Sequence, residues 1–168
     1  MNHPREGAPS REEILRRRAA RLAGDGVEGA RRTVAVQAAV VSVGAQRIAI
    51  PAEDLREIVP LPDVTPLPGL PPWLLGIAQV RGELLGVVDL ASIVGVSGER
   101  AAIMAIVDGS GGPLGLALNS VVGFRDIHVD ELSTELGEGA QRPFRAITRD
   151  LVAVLDVRRL PVEPGDGA

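Results

Sequence analysis

The sequence predicts a mainly β protein assembled from small barrels. From Val34 onward short aliphatic runs alternate with turn residues, and no long strand–helix alternation intervenes. Hydrophobic residues make up 45 % of the 168 positions but aromatics only 2 %, so Val, Leu, Ile and Ala must fill an aliphatic, β-branched core. A chain of this length buries such a core without disulfides or structural metals.

An N-terminal α-helix is expected over residues 10–23, with Ser10 as N-cap and Glu13 completing a capping box. Glu12 and Glu13 occupy its first turn and Arg16, Arg17, Arg18 and Arg21 its later ones, the order that suits the helix dipole. Leu15, Ala19 and Leu22 form a narrow apolar stripe. Residues 24–29 carry three glycines and two acids, a short flexible linker. The expected organisation is therefore helix and linker over 1–30, a barrel body over 31–161 and a disordered tail over 162–168.

Residues 34–43 read as a strand buried on both faces, and residues 47–51 as its hairpin partner across Gly44, Ala45 and Gln46. Residues 52–59 suit either a short helical turn or an irregular edge segment. Six of the thirteen prolines fall within 60–72, which forbids a helix or a central strand and leaves an ordered connection over the barrel. A single helical turn is expected from Pro71 to Gly76. Strands follow over 77–80 and 84–90 around Arg81, Gly82 and Glu83, then a short helix over 91–94 ended by Gly95. Residues 99–108 and 114–118 form a hairpin across the glycine-rich turn at 109–113. A further strand is expected over 124–129, then an acidic loop over 130–139 and a closing hairpin over 144–148 and 151–155.

Several function classes drop out on composition. A formal net charge of −4 argues against a nucleic-acid partner, whose phosphates demand clustered cations. There is no cysteine, so disulfides and thiolate chemistry are absent and the cytoplasm is the expected compartment. All 18 cationic residues are arginine, which excludes a P-loop lysine and any Schiff-base lysine. Neither a secretory signal nor a membrane-spanning run is visible, so no membrane insertion is expected. His3 and His128 are the only histidines and stand apart in the sequence; the acid pairs Glu53–Asp54 and Asp130–Glu131 sit on loops. No catalytic dyad or metal site is readable, and the expectation is a non-enzyme without cofactor.

The segment LPGLPPWLLGIAQVRGELLGVVDL carries Pro66, Pro68, Trp73, Gly76, Val80, Arg81, Gly82, Val87, Asp89 and Leu90 in a recognisable order. It resembles the CheW-like chemotaxis coupling family. Leu55, Arg56, Glu57 and Ile58 are similar to that family's apolar-x-Glu-Ile element, residues 114–124 to its second-barrel hairpin, and residues 151–160 to its closing strand. The likeness spans about residues 34 to 160. Gln79, Gly86 and Asn119 stand where the family usually has Asn, Pro and Asp, and Val36, Ala38 and Val41 replace common phenylalanines.

The resemblance implies two SH3-like five-stranded β-barrel subdomains around a shared hydrophobic core. It implies an adaptor that couples the cytoplasmic helical tip of chemoreceptors to the regulatory domain of a CheA-type histidine kinase. Arg81, in a turn between apolar strands, would pair with the Glu57 carboxylate. Leu55, Ile58, Val59, Val80, Gly82, Leu84 and Val121 would contribute to a groove for amphipathic helices. Trp73 is read as packing over a barrel end. Self-association or ring assembly stays open, as does a scaffold for type IV pili motility or gene regulation. A small-molecule-binding barrel is the remaining alternative.

Overall fold

The computed structural model describes residues 32–136 and 143–161; the N-terminal helix, its linker and the tail expected from the sequence lie outside them. The described chain forms β1 (Val34–Val43), β2 (Gln46–Pro51), β3 (Leu55–Pro60), β4 (Leu74–Val80), β5 (Glu83–Asp89), α1 (Leu90–Val94), β6 (Ile103–Gly109), β7 (Gly112–Leu118), β8 (Ser120–His128), a 3-10 turn (Val129–Glu131), β9 (Leu132–Ser133), β10 (Phe144–Thr148), β11 (Val152–Leu155) and a second 3-10 turn (Val157–Arg159).

Two sheets result, ordered β8-β1-β2-β11-β10-β9 and β3-β6-β7-β5-β4. Each is built from two antiparallel hairpins whose second strands lie side by side in parallel, β2 with β11 and β5 with β7. The first sheet has six strands where five were expected, because the two-residue β9 pairs with the start of the β10–β11 turn through Thr148 and Leu132. In both sheets an ion pair runs from an outermost strand to a distant hairpin tip. Arg81 of the β4–β5 tip meets Glu57 of β3, and Arg125 of β8 meets Asp150 of the β10–β11 tip. Flat sheets would hold those partners far apart, so both sheets curl into small barrels.

The central strands β6, β7 and β11 and the second half of β1 read as apolar runs because both faces are buried, and period-two alternation assigns each face to a different core. Val41, Val43, Ile48 and Ile50 of the first sheet meet Val88, Ala105, Val107, Leu114, Leu116 and Leu118 of the second in one shared cluster. Their neighbours face inward: Ala38, Val40, Ala49 and Val154 fill the first barrel, and Ala78, Val87, Met104 and Ile106 the second. Trp73 packs half-buried against the shared cluster.

The structure resolves or corrects several sequence expectations. Residues 52–54 turn and β3 follows, an edge strand rather than a helical turn. Pro71 to Gly76 does not form a helical turn. The chain turns at Pro72 and Trp73, and Leu74 already pairs with Val88 in the β4–β5 ladder. The strand expected from Glu99 begins only at Ile103, since the Glu99 and Arg100 carbonyls bond to the Asn119 side chain instead of to a ladder. β8 starts at Ser120 rather than Phe124, with Val121 registered on Val41. The acidic stretch expected as loop opens with a 3-10 turn and β9, and residues 137–142 lie outside the described ones.

Candidate partner-binding surface

The β4–β5 hairpin closes over two residues, Arg81 and Gly82, with φ of 50° and 85°. Positive φ at both central positions matches the right-handed twist of the flanking strands. Glycine adopts it freely, whereas Arg81 does so at a cost of about 1 kcal/mol. The strain holds a guanidinium at the hairpin tip. Its side chain is 78 % exposed, and Nη2 donates to Glu57 Oε2 at 2.9 Å.

A bulge in β3 supplies the other side of this rim. Leu55 pairs with Val107 and Glu57 with Ile106, so Arg56 is the extra residue and the strand is locally re-aimed. Arg56 Nε donates to Asp108 Oδ1 at 2.6 Å, and its Nη1 lies 3.8 Å from Glu83 Oε2. Five charged side chains from β3, β6 and the β4–β5 hairpin are thus joined in opposite-sign contacts, Arg81 with Glu57 and Arg56 with both Asp108 and Glu83. Exposed pairs of this kind add little stability.

The apolar candidates divide by exposure. Leu84, beside the rim, is 66 % exposed. Leu55 and Ile58 are half-buried against the shared core, and Val59 and Val80 against the core of the five-stranded barrel. Val121 is 37 % exposed but sits on β8, in the other sheet. Beside it Val122 and Phe124 are more open, Phe124 at 72 %. Sequence reasoning missed these two because it started the strand at Phe124. The strand begins at Ser120 with Val122 as an extra residue between the Val41–Val121 and Val40–Gly123 pairs, so no simple alternation marks this stretch in the sequence.

The residues that depart from the family pattern also have places. Gln79 is exposed on β4, and Gly86 lies in β5 where a Cβ would make ordinary contact with Leu74. Asn119 is tied into the structure: Oδ1 accepts from Gly44 N at 2.7 Å while Nδ2 donates to the carbonyls of Glu99 at 2.7 Å and Arg100 at 3.2 Å. Among the described residues no cluster of three or more His, Asp or Glu could hold a metal ion, and no helix is long and apolar enough to cross a membrane.

Two curled β-barrels fused through one aliphatic core, with a charged rim and exposed apolar strands, define a two-barrel scaffold module. The family model for the CheW-like domain matches residues 37–163, and the chain belongs to that family. Protein PilI of Pseudomonas aeruginosa is 30 % identical over 107 residues, covering 61 % of this chain and 60 % of PilI. Protein FrzA of Myxococcus xanthus is 34 % identical over 103 residues, covering 58 % of this chain and 64 % of FrzA. The chain thus spans a little under two thirds of the length of these relatives. The crystal structure of the scaffolding protein TtCheW from Thermoanaerobacter tengcongensis superposes with a TM-score of 0.67 at 19 % identity, over 73 % of this chain and 90 % of that one. Its likeness bears out the mainly β, two-subdomain SH3-like architecture.

Proposed function

We propose that this chain is a chemotaxis signal-transduction adaptor that couples the cytoplasmic helical tip of methyl-accepting chemoreceptors to the regulatory domain of a CheA-type histidine kinase. It acts in the cytoplasm by protein–protein contact, without turnover or cofactor. The observation that supports this reading is the Arg81–Glu57 pair: the signature arginine of a CheW-like chain is held by a strained turn at an exposed tip, beside the open Leu84. An ordered cation next to an exposed leucine suits an amphipathic receptor helix, which offers apolar anchors and a charged flank.

The test is co-sedimentation of the full chain with receptor tips and with the kinase, alone and together. The parent chain is expected to carry kinase into the receptor pellet, and Arg81→Glu, which sets two carboxylates against each other, to weaken receptor binding by about tenfold or more. Binding of neither partner by the parent chain rejects the adaptor reading. Unchanged binding by Arg81→Glu removes Arg81 from the site and leaves the adaptor reading standing.

A further inference from the structure

Among the described residues the chain passes between the two barrels at two places, from β2 to β3 and from β7 to β8. Asn119 is the single residue between β7 and β8. Its backbone N–H donates to Ser42 O of β1 at 3.1 Å, and the hydroxyls of Ser42 and Ser120 bond at 2.7 Å. Its side-chain oxygen takes the Gly44 N–H of the β1–β2 turn, which belongs to the six-stranded barrel. Its side-chain nitrogen holds the Glu99 and Arg100 carbonyls of the connection between α1 and β6, which belongs to the five-stranded barrel. Gly44 and Gly98 come together beneath it so closely that a Cβ on Gly98 would collide with the Gly44 backbone.

We propose that Asn119 is the latch that sets the angle between the two barrels, and therefore a positioning residue for coupling. Packing in the shared core restricts that angle by shape, and the hydrogen bonds of Asn119 add a directional tie at the crossing. Hydrogen bonds are directional, and an amide carries its acceptor and its donors on separate atoms, so Asn119 can offer one to each barrel. The second crossing contrasts with it. There the ties between barrels are the backbone bonds of Ala52 N to Gln37 O and Asp108 N to Asp54 O. Around it one ion pair, Arg145 with Glu53, spans 3.6 Å. Partners gripping different barrels would then be held in one relative geometry by Asn119. This functional half rests on the adaptor reading; the latch itself does not.

The chain has no cysteine, so spin labels can be placed cleanly at Asp126→Cys on β8 and Ser110→Cys at the β6–β7 tip, both exposed. Pulsed electron resonance on the full chain then reads the barrel-to-barrel distance without any partner present. Asn119→Leu removes both the acceptor and the donor at similar volume, and is expected to shift and broaden the distance distribution. Gly98→Ala, which forces Gly44 away and leaves Asn119 unchanged, is expected to do the same and serves if Asn119 variants fail to fold. Distributions that match the parent in every folded variant overturn the latch. In the co-sedimentation assay, the Asn119→Leu chain is expected to bind receptor and kinase separately at near-parent levels but to lose ternary recovery. Retention of ternary recovery despite a shifted distance overturns the positioning role alone, while failure of the parent chain to bind either partner rejects the adaptor reading and leaves the latch to the spin labels.

Discussion

Gly76 carries the approach of the proline-rich connection to the barrel. Thr65 and Ile77 exchange hydrogen bonds of 2.8 and 3.0 Å, and Gly76 sits beside them at φ 143°, where an added Cβ would run into the Thr65 carbonyl. Gly76→Ala is expected to lower stability by about 1–3 kcal/mol in urea denaturation, from clash and backbone strain together. The glycine was legible as a motif letter, but its reason was not, because nothing in a linear sequence says that residue 65 crosses residue 76. Asp150 gives a pH dependence. The Arg125 hydrogen bond, helped by that from Thr148, holds its carboxyl at about 2 against an ordinary 3.8. Because the folded value is depressed, its contribution is complete above pH 3.8 and is lost as pH falls through 3.8 toward 2. The carboxylate is half exposed, so solvent screening limits the contribution to about 1 kcal/mol or less. Asp150→Asn is expected to flatten the acid limb of a stability–pH curve over that window, and an unaltered limb would discount the pair.

At the scale of elements, the helix α1 shows how much local chemistry a single turn needs. Asp89 Oδ1 accepts from Ala91 N, its other oxygen takes the Ser92 hydroxyl, and Gly95 ends the helix at φ 72° with its N–H on Ala91 O. Asp89→Ala is expected to cost about 1 kcal/mol by thermal or urea unfolding, and Asp89→Asn markedly less, since an amide oxygen still caps. The helix, its glycine stop and most hairpins were readable because each rests on residues adjacent in sequence. β3 was not, since the bulge at Arg56 breaks the alternation by which a strand is recognised. The opening of β8 was hidden by Asn119, Ser120 and Gly123, which read as turn residues. Only pairing with β1 makes that stretch a strand. The Arg81–Glu57 pair was anticipated through family likeness, whereas the Arg56–Asp108 link follows from the pairing of β3 with β6 and the Arg56–Glu83 link from the curl of the sheet, neither with a local signal.

For the molecule as a whole, the decisive feature is that the two barrels have one core in common. Leu116 is fully buried in the shared cluster, with contributions from both sheets around it. Leu116→Ala is expected to cost about 2–5 kcal/mol, the range for opening a cavity in a close-packed interior. The loss should appear as a single unfolding transition that moves intact to lower denaturant, because each barrel's shared-core face is covered by the other; two separated transitions would contradict a common core. The small-barrel architecture was legible because aliphatic runs punctuated by turns admit few alternatives. The merging of two barrels into one body was available only by likeness to relatives.

The parallel seam between β2 and β11 sets a schedule for biosynthesis. Val152 lies beside Arg47, although all of the five-stranded sheet intervenes in the chain. As the nascent polypeptide emerges, β3 to β7 appear as one uninterrupted stretch and can complete their own ladder by short closures. The leading hairpin must wait with its barrel-inward face, Ala38, Val40 and Ala49, uncovered until the final strands clear the ribosome. That interval is when chaperone capture and misassembly compete with folding, and it lengthens with every residue inserted between the two halves.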